Sequence, residues 1–343
     1  MRDTQLDIYR ALLMIYIPCI THVMYWLMDG REPFLSILLY EMPLVYFVSG
    51  AAFSMSSSRR GFWDTIKGRL HRVVLPYYIY AMVLIALGAI LTLIAKTSGM
   101  PQLQLVDLSK YGWKDIASIV LCHDIPQYPY IWHLWFIPPY LILSCTFPLQ
   151  VRMMKRLNKV AYLAICLLVF LIAQAVTGND LVRQVLGYNV FMVAGYLFYR
   201  KTPIGGIALA GVTVLAVLLG CIYWGGVDFF PMQGHKFPPD WVFVLYCFFI
   251  LCLISLVFSR FKPRGNRILK FWSERGYHIY LYQSVVFTIM EVLRQHTFIG
   301  STSPLLARAL IDAAIVFILS MALAMLTYPL ERAIMRKIKF GVR

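Results

Sequence analysis

The chain has 343 residues, 60% of them hydrophobic and only 14% charged, with a mean hydropathy of +0.69 and a formal net charge of +16. Soluble proteins carry about 25% charged residues, so this composition excludes a soluble fold. It calls for an all-α, polytopic membrane protein, one domain over residues 1–343.

Ten apolar stretches approach the roughly 20 residues that a span requires: about 8–28, 34–55, 73–95, 134–151, 159–177, 185–200, 205–225, 241–259, 277–293 and 305–328. The first begins near the N-terminus, is too long for the apolar core of a signal peptide and lacks a small-residue cleavage site, so it is expected to stay as a transmembrane helix. It carries Arg10 and His22. A charge in hydrocarbon is costly, which makes an ionisable residue inside a span a functional candidate. The plainer reading is an Arg10 that snorkels to the headgroups and a His22 that only packs. On a regular helix the two would be separated by about 18 Å of rise and lie about 120° off a common face. Pro18 stands between them and removes a helical hydrogen bond. A π-bulge or kink between Met14 and Pro18 is therefore expected, with both side chains opening onto one cavity.

In the second stretch Glu41 lies at a depth similar to that of His22, across a short loop. A carboxylate there could fix the imidazole tautomer and raise its basicity; alternatively Glu41 pairs with another buried cation or caps a helix. The third stretch is preceded by IKGRLHRVV, in which Arg69 and Arg72 share a helical face. Paired guanidiniums suit phosphates, of lipid headgroups or of a soluble phosphorylated donor.

Three connecting segments on the opposite side have content: 96–132, ending HDIPQYPYIWHLWF with its neighbours; 226–240, GVDFFPMQGHKFPPD; and the short 294–304. Aromatics mixed with isolated polar residues suit stacking on sugar faces. This makes His133 and Trp135 candidate substrate-binding residues, although Trp and Tyr gather at any membrane interface. The seven cysteines are scattered and form no CxxC pair, so neither a disulfide framework nor a metal site is expected. Alternating the loops between two sides puts 23 of the Lys and Arg on the side of the N-terminus and 8 on the other. That bias predicts ten spans with both termini cytoplasmic. The basic charge is a topology signal, and no nucleic-acid partner is expected.

Taken in order, LDIYRALLM followed by His22, MPLVYFVSG, RLHRVVLPYY, HLWFIPPYL, GYHIYLYQ and YPLER resemble the motifs of the membrane-bound acyltransferase-3 family, over residues 5–332. Members of that family O-acylate surface polysaccharides, periplasmic glucans, antibiotics and lipids. The family usually places ten residues between the Arg and the His, whereas eleven stand here. The resemblance implies an acyl-CoA donor from the cytoplasm, no tightly bound cofactor, and a glycan or lipid-linked saccharide acceptor on the far side. It implies a place in the cell membrane among its lipids, with polysaccharide-synthesis machinery as a partner. It further implies that Arg69 and Arg72 hold the CoA phosphates, that Arg10 steadies the donor or the developing oxyanion, and that His22 is the general base. The acyl group, acetyl or succinyl, stays open. Two other classes compete: a transporter or flippase of a glycan or small anion, against which no inverted repeat is seen, and a non-catalytic partner of a polysaccharide synthase.

Overall fold

The computed structural model describes residues 3–27, 33–56, 62–98, 112–121, 132–260, 264–296 and 304–338. Cys122 and most of the segments 96–132 and 294–304 lie outside the described residues. Every regular element among the described residues is helical. The chain opens with α1 (Thr4–Tyr16), which runs on into a π-helical stretch (Ile17–Leu27). Then come α2 (Phe34–Leu38), α3 (Glu41–Ser56), α4 (Phe62–Arg69), a π-helical turn (Leu70–Val74) and α5 (Leu75–Ser98). After α6 (Trp113–Leu121), a 3₁₀ turn (Trp132–Phe136) leads into α7 (Ile137–Met154). The remainder is α8 (Lys159–Val176), α9 (Asp180–Phe198), α10 (Ile204–Gly225), α11 (Met232–Lys236), α12 (Trp241–Arg260), α13 (Arg267–His296) and α14 (Leu305–Lys337).

Among the described residues eight helical segments are long and apolar enough to cross a membrane, and each falls on one of the ten expected stretches. The other two expectations, 73–95 and 277–293, fall on the helices α5 and α13. Large side chains such as Met82, Val176, Leu209 and Leu326 point outward, as a lipid-facing surface requires. The protein is a multi-pass membrane protein.

Three departures from the expected stretches have local causes. The 34–55 stretch breaks at Leu39–Tyr40, because Pro43 cannot donate to the residue 39 carbonyl and its ring clashes there. The break makes Glu41 the first residue of α3. The sixth stretch, expected from 185, begins at Asp180, because the Asn179 side chain accepts from the Val182 N–H at 3.1 Å. The segments 96–132 and 226–240 are not wholly irregular: they contain α6 and α11.

Two close helix crossings set the geometry. A Cβ on Gly50 of α3 would stand 1.8 Å from the Met192 carbonyl oxygen of α9, and one on Gly195 of α9 would stand 2.0 Å from the Phe47 carbonyl oxygen of α3. The glycines thus interlock the two backbones, the small-residue packing that bilayers favour. Gly276 of α13 likewise admits the Met14 side chain of α1, 2.5 Å from where a Cβ would be. Gly265 sits near Ile8, Gly276 on Met14 and Gln283 on His22, so α1 and α13 run parallel along their whole contact.

Candidate active site

Asp3 starts α1, its carboxylate accepting from the Gln5 and Leu6 N–H groups at 2.9 and 3.2 Å and pairing with Arg200 at 2.8 Å. The helix stays regular until Pro18, the first residue with no N–H to give, and the π-helical stretch takes over around it. The irregularity expected between Met14 and Pro18 is present, but it is eleven residues long and begins at Ile17, where a single bulged residue was expected. The i→i+5 pattern gives about 4.4 residues per turn, hence about 82° per residue. Seven steps at about 100° and five at about 82° put Arg10 and His22 within about 30° of one another. The widening therefore restores a common face that a regular helix would deny them.

His22 faces α13, its Nδ1 2.9 Å from the Gln283 Oε1. Around it stand Phe287 and Tyr280, with ring centroids 6.3 and 6.4 Å away. Tyr280 also meets His133 at 5.3 Å and Phe136 at 4.9 Å. His133 is 1% exposed and its Nε2 lies 3.1 Å from the Leu281 carbonyl oxygen, while the Tyr280 hydroxyl donates to the His133 carbonyl at 2.7 Å. His133, expected as a substrate-binding residue, thus joins the 3₁₀ turn to α13 from inside. Trp135 is half-buried between Tyr188, 6.0 Å away, and Phe237, 4.5 Å away.

Glu41 does not pair with His22. Its Oε1 accepts from the ammonium of Lys236, and both side chains are buried. The reason lies in α11: the turn that carries Met232–Lys236 is anchored by the Met232 N–H on the Ser36 hydroxyl, 2.8 Å, and swings Lys236 inward beneath Trp135 and Phe237. A buried ammonium requires a partner, and Glu41, freed by the break before α3, supplies it.

At the other end of α1, Arg10 donates to Asp7 at 3.2 Å. Its charge and that of Arg69 both bear on Tyr140. Arg69 donates to the Tyr140 hydroxyl at 3.2 Å and lies 4.7 Å over the Phe53 ring, while Ser49 donates to the same hydroxyl at 3.3 Å. Arg72 does not turn inward with it. It is exposed, with its guanidinium beside Gly68, because the π-helical turn after Arg69 splays residues that a regular helix would align. Rings link the two ends: Tyr140 to Phe136 at 6.2 Å, Phe136 to Tyr280, and Tyr280 to His22. A cleft of about 470 Å³ opens between the starts of α1 and α13, lined by Asp7, Gly265, Arg267, Lys270 and neighbours. Neither Arg10 nor His22 lines it, so it is not the shared cavity that was expected.

Gln283, Tyr280, Tyr140 and Lys236, which the structure brings to the candidate site, were not among the residues expected from the sequence. The first two stand in the GYHIYLYQ run but carry no charge, and Lys236 reads as one more loop cation. Among the described residues no group of three or more His, Cys, Asp or Glu is placed to hold a metal ion.

No curated protein and no solved structure matches the chain. The acyltransferase-3 family model, described as an acyltransferase domain, matches residues 3–329. That match spans nearly all the helices described above, and the chain belongs to this family of membrane O-acyltransferases.

Proposed function

We propose that the protein moves an acyl group, acetyl or succinyl, from cytoplasmic acyl-CoA to a hydroxyl of a glycan or lipid-linked saccharide across the cell membrane. One arrangement carries this reading. A partly buried imidazole stands toward one end of α1 and its π-helical extension, the Arg69 guanidinium bonds Tyr140 toward the other with the charge of Arg10 also acting there, and aromatic rings lie between. The charge bias of the loops supports a cytoplasmic Arg10 end, cytoplasmic termini and ten spans.

In this reading Arg69 and Arg72 take the nucleotide phosphates of CoA, and the pantetheine arm follows the rings toward His22. Arg10 steadies the donor; with a helix rise of roughly 15 Å or more between them, it is too far from His22 to meet the oxyanion. His22 takes the proton of the acceptor hydroxyl through Nε2. The oxygen attacks the thioester carbonyl, the C–S bond breaks, and the departing thiolate takes the proton from the imidazolium. Glu41 holds Lys236, and with it the 226–240 segment, beside the His22 end, where Trp135 offers a ring face to a sugar.

The test is mass spectrometry of surface glycans from cells that lack the protein, that carry it, and that carry His22→Ala. An acyl increment that appears only with the wild-type chain is expected. Glycans identical in all three, with no thiol released from acetyl-CoA or succinyl-CoA by the purified protein, would overturn the reading.

A further inference from the structure

We propose that Gln283 is a positioning residue: its amide carbonyl holds His22 in the tautomer whose lone pair sits on Nε2. This rests on the reading of His22 as general base. The Gln283 Oε1 lies 2.9 Å from His22 Nδ1. An amide oxygen has no proton to donate, so Nδ1 carries the hydrogen and, in the neutral ring, Nε2 is left as the acceptor. A carboxylate in this place would do the same at the cost of a charge in hydrocarbon. The neutral amide avoids that, and the carboxylate at this depth, Glu41, is already engaged by Lys236.

Gln283 is held as well as holding. It is fully buried, and the residues around it on α13 are tied to two other elements. Tyr280 donates to the His133 carbonyl, the Leu281 carbonyl meets His133 Nε2, and the Ser284 hydroxyl lies 2.6 Å from that of Tyr80. Met14 seated on Gly276 fixes the register of α13 against α1. The carbonyl therefore waits for the imidazole at a fixed place. Among the described residues, the other half of the amide, Nε2, is buried without a hydrogen-bond partner. A donor left open beside the base suits an incoming oxygen, of the acceptor or of the acyl group.

The test uses full-length protein in nanodiscs, selectively labelled with ¹⁵N-histidine, the His22 signals being those lost in His22→Ala. Wild type is expected to show the Nδ1–H form, Gln283→Leu the Nε2–H form or a mixture, and Gln283→Glu, which keeps an acceptor, the wild-type form. In parallel, thiol release from acetyl-CoA with cellobiose as acceptor probe should show kcat lowered about 10- to 100-fold in Gln283→Leu. KM for acetyl-CoA should stay within about twofold, and most of kcat should return in Gln283→Glu. An unchanged tautomer or wild-type kcat in Gln283→Leu would overturn the inference. So would an Nε2–H form in Gln283→Glu, a variant of nearly the same size should Gln283→Leu fail to fold. Wild-type activity in His22→Ala would instead sink the reading of His22 as base, and the tautomer spectra would still decide whether Gln283 sets the ring.

Discussion

In the proposed mechanism His22→Ala removes the base but leaves Gln283, Tyr280 and Phe287 in place around a small void. Transfer should fall by about 10²–10⁴-fold, while gel filtration and thermal unfolding in detergent stay near wild type. The Glu41–Lys236 pair behaves differently. Lys236→Met strands a buried carboxylate, and stability should drop by about 3–5 kcal/mol. The double variant Glu41→Gln with Lys236→Met should recover most of that loss in the same thermal assay; a double variant no better than Lys236→Met would argue against the pair. Arg10 and His22 stood out in the sequence as candidates because polarity inside an apolar run is conspicuous. Gln283 and Tyr280 were not, since a neutral polar residue in a span resembles ordinary packing. Lys236 was hidden for another reason: its inward turn depends on α11 meeting Ser36, a contact between residues far apart in the chain.

Helix 1 could be read as irregular from one proline and a spacing, yet its eleven π-helical residues exceed what one missing N–H dictates. Packing against α13 and α14 sustains the rest, and no local rule announces that. Pro18→Ala returns an N–H that can reach the Met14 carbonyl and favours a regular helix. That would swing His22 away from Gln283, so activity should fall at least about tenfold with no loss of thermal stability. Unaltered activity would show that packing alone sets the wide turn. The interlocked glycines make the opposite forecast. Gly50→Ala and Gly195→Ala push a methyl into a neighbouring backbone and should each destabilise by about 1–3 kcal/mol or more, read as a lower unfolding temperature. The α3–α9 crossing was not foreseen: the Ser-Gly end of MPLVYFVSG marks a small residue but does not name its partner.

At the scale of the molecule, the basic asymmetry of the loops makes a sidedness that can be measured. Asp228→Cys in a cysteine-free background should react with an impermeant maleimide on intact cells, and Thr202→Cys only after permeabilisation. The reverse pattern would invert the proposed path of the donor. Donor recognition belongs to this scale too: Arg69→Ala should raise KM for acetyl-CoA more than for its 3′-dephospho form, and equal effects would remove the arginine from phosphate reading. The ion pair beside Trp135 also bears on how the chain is made. Glu41 leaves the ribosome 195 residues before Lys236, so the early helices are inserted while their carboxylate still lacks its counter-ion. The bundle near α3 can close only after α11 has been delivered. A nascent chain stopped between α10 and α11 should therefore be recognised as unfinished and degraded, whereas one stopped after α12 should persist, which makes this pair a checkpoint in assembly.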